Sequence, residues 1–296
     1  MRFDTDPWHP GLSRLGFPDV TTEASAETRP AISRVGPALI VASTLASTLG
    51  IVVAQFLDDL GDGILAVILG GEGVLYNSRI SLTGADDIAW GGGFVLCLAV
   101  GLFALFVYPT QRGYGVPRLV LLWMLLHVLR QALTQAVVLP FSDDSQLALA
   151  YGTFDVPAGL DMVIAAGGAV GLLLVALSAA SAFLAYTPHR RHVSTARKRL
   201  VFALWIALIP AVVSAFVAIP FFLPDSEGLV LPGLPLVAVM FLATLAAAPG
   251  TTTVVGPEDE QEMGWPWGLI SFLLVLLAFS LGVMRGGVSI DPRQWG

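Results

Sequence analysis

The sequence carries few charges for its length, and this scarcity excludes an ordinary soluble fold. Charged residues make up 12% and hydrophobic residues 55% of the 296 positions, and the mean hydropathy is +0.78. Soluble domains carry roughly 25% charged residues. The composition therefore predicts an integral protein of the cell membrane, with the lipid bilayer as its first partner.

Other absences narrow the function further. The single cysteine, Cys97, rules out a disulfide or a thiolate metal site within one chain. The sequence has neither a GxxxxGK[ST] phosphate loop nor a GxSxG nucleophile elbow. It has no basic patch with interleaved aromatic residues, so nucleic acid is not expected as a partner. We find no internal repeat, which leaves an inverted-repeat transporter without support.

What the sequence does contain is a series of long apolar runs. A helix needs roughly 20 apolar residues to cross a bilayer, and the alternating pattern of a β-barrel is missing. The fold class predicted is all-α, a polytopic transmembrane helical bundle with about seven spans, in a range of about six to eight. The candidate spans are 37–57 (or on to 69), 91–108, 119–139, 159–186, 200–223, 229–249 and 266–284.

Basic residues in the short loops predict the orientation. Lys and Arg accumulate on the cytoplasmic side of membrane proteins. Arginines precede the first span, follow the second and crowd the segment 189–199, whereas the loops at 140–158 and 224–228 contain none. We therefore expect a cytoplasmic N-terminus, with residues 1–35 as a polar cytoplasmic tail, and a C-terminus outside after seven crossings.

Three aspartates interrupt the first apolar run. The stretch FLDDLGDGILAVILGG contains Asp58, Asp59 and Asp62. On a helix, Asp58 and Asp62 share a face and Asp59 lies one step round. An ionised carboxylate at membrane depth is costly, so these side chains would face the protein interior or a watery cavity and indicate a functional site. In the alternative interpretation the span ends near Phe56 and the aspartates lie in an exposed loop.

The length of this run leaves its shape open. As one helix, residues 36–69 would extend about 50 Å at 1.5 Å per residue, well beyond a hydrocarbon core. Either the helix tilts and projects from the bilayer, or it breaks near Gly50 or Gly61.

The third span offers partners for the aspartates. Its polar side chains recur at spacings that place them on one helical face, and a lipid-facing arginine would be expensive. We predict that this face looks into the bundle, with Arg130 as the counter-ion of one aspartate. A buried network that only fixes helix packing is the competing interpretation. The residues of this face are His127, Arg130, Gln131, Thr134 and Gln135.

The string LDDLGDGILAVILGG resembles the zinc-binding helix of site-2-protease-type intramembrane metalloproteases, in which His-Glu-x-x-His precedes a Gly-rich turn. The following GEGVLYNSRISL resembles that family's membrane-associated β-hairpin, predicted here near 72–84, and IAWGGGFVLCLAVG resembles its next span. The resemblance divides the chain into the tail 1–35, a site-2-protease-like membrane core at 36–145 and C-terminal transmembrane helices at 146–296.

The resemblance also implies residue roles. Asp58 and Asp62 would stand at the two metal-binding histidines and Asp59 at the general-base glutamate, so that Asp58-Asp59-x-x-Asp62 replaces the motif. The third metal ligand of the family is a later Asp, for which Asp143 or Asp144 is the candidate. An all-aspartate set is a poor zinc site, so zinc is not expected, while a divalent cation such as Mg²⁺, Ca²⁺ or Mn²⁺ suits carboxylates.

Three interpretations of this site remain open. In the first, the chain is a family member that has lost peptidase chemistry and keeps a scaffolding or regulatory role. In the second, the site is rebuilt for a hard cation. In the third, the carboxylates form a cluster that handles protons or cations. At the level of function, the alternatives are a transporter or channel subunit and a structural subunit of a membrane complex. Classical zinc peptidase activity is not expected. Membrane-protein partners or a homo-oligomer are compatible with each interpretation.

Overall fold

The computed structural model describes residues 36–111, 113–154, 156–187, 192–223, 234–251 and 263–290. Several segments lie outside these residues. They are the N-terminal tail 1–35, residues 189–191 at the start of the basic segment, the loop 224–228 and residues 256–262 of the acidic stretch GPEDEQEM. Within them, six helical runs are long and apolar enough to cross a membrane, which confirms a multi-pass helical membrane protein. These runs are Pro37–Ile68, Asp87–Thr110, Val116–Phe141, Leu160–Leu184, Ala196–Phe222 and Trp267–Gly286.

The first helix does not break. Helix α1 runs from Pro37 to Ile68, with proline in its first turn, where the missing N–H costs nothing. Gly50 and Gly61 remain inside it as points of close helix contact. The aspartates therefore lie within the helix and are buried, so the interpretation of an exposed loop after Phe56 is wrong.

The helices that follow α1 are α2 (Gly92–Val107), α3 (Val116–Val138), α4 (Gln146–Gly152), α5 (Leu160–Leu184), α6 (Ala196–Ala203), α7 (Ile209–Ala218), α8 (Leu234–Ala247) and α9 (Trp267–Gly282). Helix α1 contacts α2, α3, α7 and α9, whereas α5 packs on α3 and α8 packs on α5. A π-helical turn at Leu204–Leu208 joins α6 to α7 within one membrane-crossing run.

The hairpin predicted near 72–84 is present and gains a third strand. Strands β1 (Glu72–Leu75) and β2 (Ile80–Thr83) pair antiparallel, and β3 (Val288–Ser289), after α9, pairs antiparallel with the other edge of β1. The order is β2-β1-β3. A side chain at Gly63 of α1 would meet Ile80 and Ile290, so the sheet packs directly on the last turns of α1. We call this side of the bundle the hairpin end.

Two contacts fix the direction of the later helices. Asn77, in the hairpin, donates to the carbonyl of Phe221, so the run through α7 finishes at the hairpin end. Arg199, at the start of α6, donates to the carbonyl of Thr251 just after α8. Helix α8 thus finishes at the opposite side, which we call the basic end after Arg197, Lys198 and Arg199.

The described part of helix α8 begins at Leu234, within the predicted span 229–249. With the turn Ala248–Gly250 it is about 25 Å long at 1.5 Å per residue. Because α9 returns to the hairpin end, the chain crosses an odd number of times between Pro37 and β3. Six of the described runs are long enough to span a membrane, and the shorter α8 would be the seventh crossing.

Candidate functional site

The three aspartates of α1 form a buried group near the hairpin end. Asp58, Asp59 and Asp62 expose 1%, 4% and 0% of their surfaces, and we call them the carboxylate cluster. They are in reach of α2 and α3, which pack on the same stretch of α1. Burial this complete requires hydrogen-bond partners for each carboxylate.

Asp58 is held by two amides of α3. Gln131 Nε2 donates to Asp58 Oδ2 at 2.9 Å, and Gln135 Nε2 donates to Asp58 Oδ1 at 2.8 Å. Gln131 and Gln135 lie one turn apart on α3, so both amides reach the same carboxylate. Each oxygen of Asp58 thus accepts from a donor, which is the arrangement that favours an ionised carboxylate.

Asp62 caps a neighbouring helix. The Gly93 N–H donates to Asp62 Oδ1 at 2.6 Å. Gly93 lies in the first turn of α2, and the N-cap residue of that helix, Gly91, has no side chain to supply a cap. The amides of a first helical turn have no partner within the helix and need an acceptor from outside it. Asp62 therefore acts as the N-terminal cap of α2, a role that a Ser or Asp at the start of the helix itself usually fills.

Glycines make this capping contact possible. A Cβ on Gly92 would collide with the carbonyl oxygen of Gly61, and a Cβ on Gly93 would collide with Asp58. Helices α1 and α2 therefore touch backbone to backbone, a close approach that small residues permit between membrane helices. Gly92 and Gly93 are therefore what bring the start of α2 to Asp62.

Asp59 and Arg130 complete the surroundings. Gln55 Nε2 donates to Asp59 Oδ1 at 3.2 Å, within the same helix. Arg130 Nη2 donates to Gln131 Oε1 at 3.1 Å. Since Gln131 in turn donates to Asp58, the guanidinium and the carboxylate are joined through one glutamine. The sequence predicted Arg130 as the counter-ion of one aspartate, and in the structure this glutamine links the two charges.

His127 belongs to a second network, nearer the basic end. Its Nε2 lies 3.0 Å from Ser47 Oγ, and Ser47 Oγ lies 2.7 Å from Ser214 Oγ on α7. Ser214 Oγ donates to the carbonyl of Ala211 at 2.9 Å. We call Ser47, His127 and Ser214 the serine–histidine chain. It is buried, with exposures of 0% for both serines and 2% for His127.

The direction of this chain follows from proton counting. Ser214 donates its one hydroxyl proton to the carbonyl of Ala211, so it accepts the hydrogen bond from Ser47. Because the Ser47 proton is then used, Ser47 can only accept from His127. His127 must therefore carry its proton on Nε2 and donate it to Ser47. The imidazole is neutral, and Nδ1 has no partner among the described residues. His127 therefore pairs with Ser47 and not with an aspartate of the carboxylate cluster.

A parallel contact lies one turn nearer the basic end. Trp123 Nε1 donates to Ser43 Oγ at 2.9 Å, and Ser43 donates to the carbonyl of Ile206 at 2.6 Å. Four residues beyond Ile206 stands Pro210, which has no N–H to give that carbonyl. Ser43 supplies the missing donor from another helix, as membrane bundles do around proline. The π-helical turn coincides with this interruption.

An apolar layer lies between the two networks along α1, whereas on α3 His127 lies only one turn from Gln131. Ala54, Cys97, Val128 and Ala132 form a buried cluster between α1, α2 and α3. The 11 positions from Ser47 to Asp58 correspond to about 16 Å along α1. Both networks thus lie on the α1–α3 contact but at different depths of the bundle.

The predicted third metal ligand lies elsewhere. Asp143 and Asp144 occupy an exposed turn between α3 and α4, whereas Asp58 and Asp62 are inside the bundle. In the part of the chain that the structure describes, no three His, Cys, Asp or Glu side chains converge as metal ligands do. The oxygen-only donors of the carboxylate cluster are engaged by amides and do not fit zinc.

Sequence reasoning missed several partners. Gln55, Ser43, Ser47 and Ser214 were not identified, although Ser43 and Ser47 lie four residues apart on α1 and repeat the helical spacing of Asp58 and Asp62. The role of the glycines at 92 and 93 in the contact with α1 was not identified either. A mid-span proline such as Pro210 could have pointed to an orphan carbonyl, but not to the serine that satisfies it.

Comparison of the chain with family models, curated proteins and solved structures finds no match. The class defined by the fold and the site is a multi-pass helical membrane protein with a buried carboxylate cluster. The resemblance to intramembrane metalloproteases remains a prediction.

Proposed function

We propose that this protein is a non-peptidase member of the site-2-protease-like group, with a scaffolding or regulatory role, whose carboxylate cluster holds protons where the resembled enzymes hold zinc. The layout supports the proposal. A continuous helix carries Asp58-Asp59-x-x-Asp62, a β-hairpin follows it directly, and the next helix enters through small residues.

The observation that carries the proposal is the way the carboxylates are occupied. Asp58 accepts two glutamine amides and Asp62 accepts the Gly93 N–H. Histidine is missing from these contacts, since His127 pairs with Ser47. With Arg130 as the nearby cation, three ionised carboxylates would leave uncompensated charge at membrane depth, which is expensive. Retained protons remove that cost.

Metal analysis tests this proposal. The full chain, purified without chelator and incubated with excess zinc, should hold far less than one zinc per chain after desalting. Asp62→Ala should not change that content, and Asp144→Ala, in the exposed turn, is the matched control. One tightly bound zinc per chain that Asp62→Ala removes would contradict the proposal.

A second candidate function is proton or cation transfer through the bundle. It is favoured by polar atoms near the cluster that are buried without a partner among the described residues, namely Asp62 Oδ2, Thr134 Oγ1 and Gln135 Oε1. Oxygen atoms of these types bind water, protons or small cations. The apolar layer argues against a continuous path in this conformation.

Vesicles containing a pH-sensitive dye distinguish the two functions. Under an imposed pH gradient, a transfer protein gives a proton flux that Asp62→Asn abolishes and Asp144→Asn preserves. The non-peptidase proposal expects the same slow leak from the parent and both variants.

A further inference from the structure

At the basic end, an arginine is enclosed by tyrosines. The Arg118 guanidinium carbon lies 4.9 Å from the ring centre of Tyr108 and 4.6 Å from that of Tyr114. Tyr186 packs edge-on against Tyr114, with ring centres 5.7 Å apart. These residues come from three neighbouring helix ends, because Tyr108 follows α2, Arg118 begins α3 and Tyr186 follows α5.

The Arg118 guanidinium uses only part of its hydrogen-bonding capacity. Its faces lie against the tyrosine rings, and Nη1 donates to the carbonyl of Gly113 at 3.2 Å. Nε has no hydrogen-bond partner among the described residues. The Nε–Nη2 edge is one of the two forks through which arginine binds phosphate or carboxylate in a bidentate manner.

A phenol adds a further donor. Tyr186 is 3% exposed, and its hydroxyl has no partner in the described part of the chain. Arg118 and Tyr108 both act electrostatically on this hydroxyl, so it lies in their neighbourhood. Burial raises the pKa of Tyr186, and the phenol therefore keeps the proton that it can donate.

The depth of these groups in the membrane suggests the ligand. Tyr and Arg at the ends of membrane helices lie at the level of the lipid headgroups. Basic pockets between such helix ends bind anionic headgroups. The charged and polar groups that act on Tyr186 and Tyr108 are tyrosines and Arg118, and no carboxylate of the described residues is among them.

We propose that Arg118 and Tyr186, between the ends of α2, α3 and α5, form a binding site for the phosphate group of an anionic phospholipid. Arg118 binds two phosphate oxygens through its Nε–Nη2 edge, and Tyr186 donates a further hydrogen bond. The stacked rings of Tyr108 and Tyr114 hold the guanidinium in the orientation that this bidentate contact needs.

Native mass spectrometry of the full chain, released from nanodiscs of phosphatidylcholine with increasing phosphatidylglycerol, measures this binding. Arg118→Gln should weaken retention of phosphatidylglycerol about fivefold, as expected for one interfacial charge. Arg118→Lys should also weaken it, because lysine keeps the charge but loses the fork. Arg285→Gln, at the hairpin end, is the matched control and should bind as the parent does.

Tyr186→Phe provides a test with little risk to folding, since only one oxygen is removed, and it should weaken retention severalfold. A separate titration with inorganic phosphate identifies the source of the group. Displacement of the lipid by millimolar phosphate would assign the site to a soluble phosphate, and no displacement would assign it to the headgroup. Parent-like lipid retention by Arg118→Gln and Tyr186→Phe, or by Arg118→Lys, would overturn the proposal.

Discussion

The carboxylate cluster and the serine–histidine chain occupy the same helix contact and are built in opposite ways. In the serine–histidine chain, each hydroxyl donates once and accepts once, and the last proton goes to a backbone carbonyl. The carboxylate cluster has amide donors and one nearby arginine for three carboxylates, and Asp62 Oδ2 remains buried without a partner among the described residues, as His127 Nδ1 does in the serine–histidine chain.

This difference separates structure from function within one interface. A polar chain with every hydroxyl satisfied joins helices and fixes their register. Buried carboxylates with unsatisfied atoms are costly and are kept in membrane proteins where protons or ions are handled. The comparison gives His127 and Ser47 a role in helix packing, and the proposed function depends on Asp58, Asp59 and Asp62.

The largest effect is expected at the glycine contact that supports the cluster. Gly92→Ala places a methyl group against the Gly61 carbonyl, which belongs to the backbone and cannot move aside. We expect a loss of about 3 kcal/mol or more in unfolding free energy, measured by denaturant titration in detergent micelles.

Gly167→Ala in α5 is the control for that substitution, because nothing lies within 4 Å of the added methyl group. It should be neutral or slightly stabilising. Equal melting behaviour of the two variants would show that α1 and α2 are not in backbone contact.

A smaller loss is expected when the cluster loses its central acceptor. Asp58→Ala leaves the amides of Gln131 and Gln135 without their carboxylate and removes the link to Arg130. We expect a cost of about 2 to 3 kcal/mol in the same titration. Gln131→Ala in the Asp58→Ala background should cost much less than it does in the parent. Full additivity of these two changes would argue against the contact.

The serine contacts predict a rescue. Ser43→Ala removes the donor to the Ile206 carbonyl and the acceptor of Trp123, and should cost about 1 to 2 kcal/mol. Pro210→Ala restores an N–H four residues after Ile206. In the Ser43→Ala background it should therefore recover part of the loss, as judged by thermal unfolding in detergent. A double variant no more stable than Ser43→Ala would contradict the role given to Ser43.

The smallest effect tests the separation itself. The apolar layer predicts that Asp58→Ala and Ser47→Ala act independently, so their costs should add within about 0.5 kcal/mol. A coupling well above that value would mean that the two networks communicate, and the division between them would fail.

Apolar runs predicted the helices well, and the polar segment after α1 predicted the hairpin. Strand β3 could not be predicted from local sequence, because its pairing with β1 joins residues more than 200 positions apart. The spacing of His127, Gln131 and Gln135 correctly indicated one helical face, but a face extends through the depth of the membrane. Which α1 residue each side chain meets depends on how far the helices slide, and Gly50, Gly61 and Gly92 set that position through backbone contact.

Infrared spectroscopy of the carboxyl groups tests the central claim most directly, namely that the carboxylate cluster retains protons inside the bundle. The parent protein at neutral pH should show the carbonyl stretch of a protonated carboxyl group, and Asp62→Asn should reduce it. Asp144→Asn, in the exposed turn, should leave it unchanged. The absence of this band in the folded parent would mean that all three aspartates are ionised, and it would contradict the account.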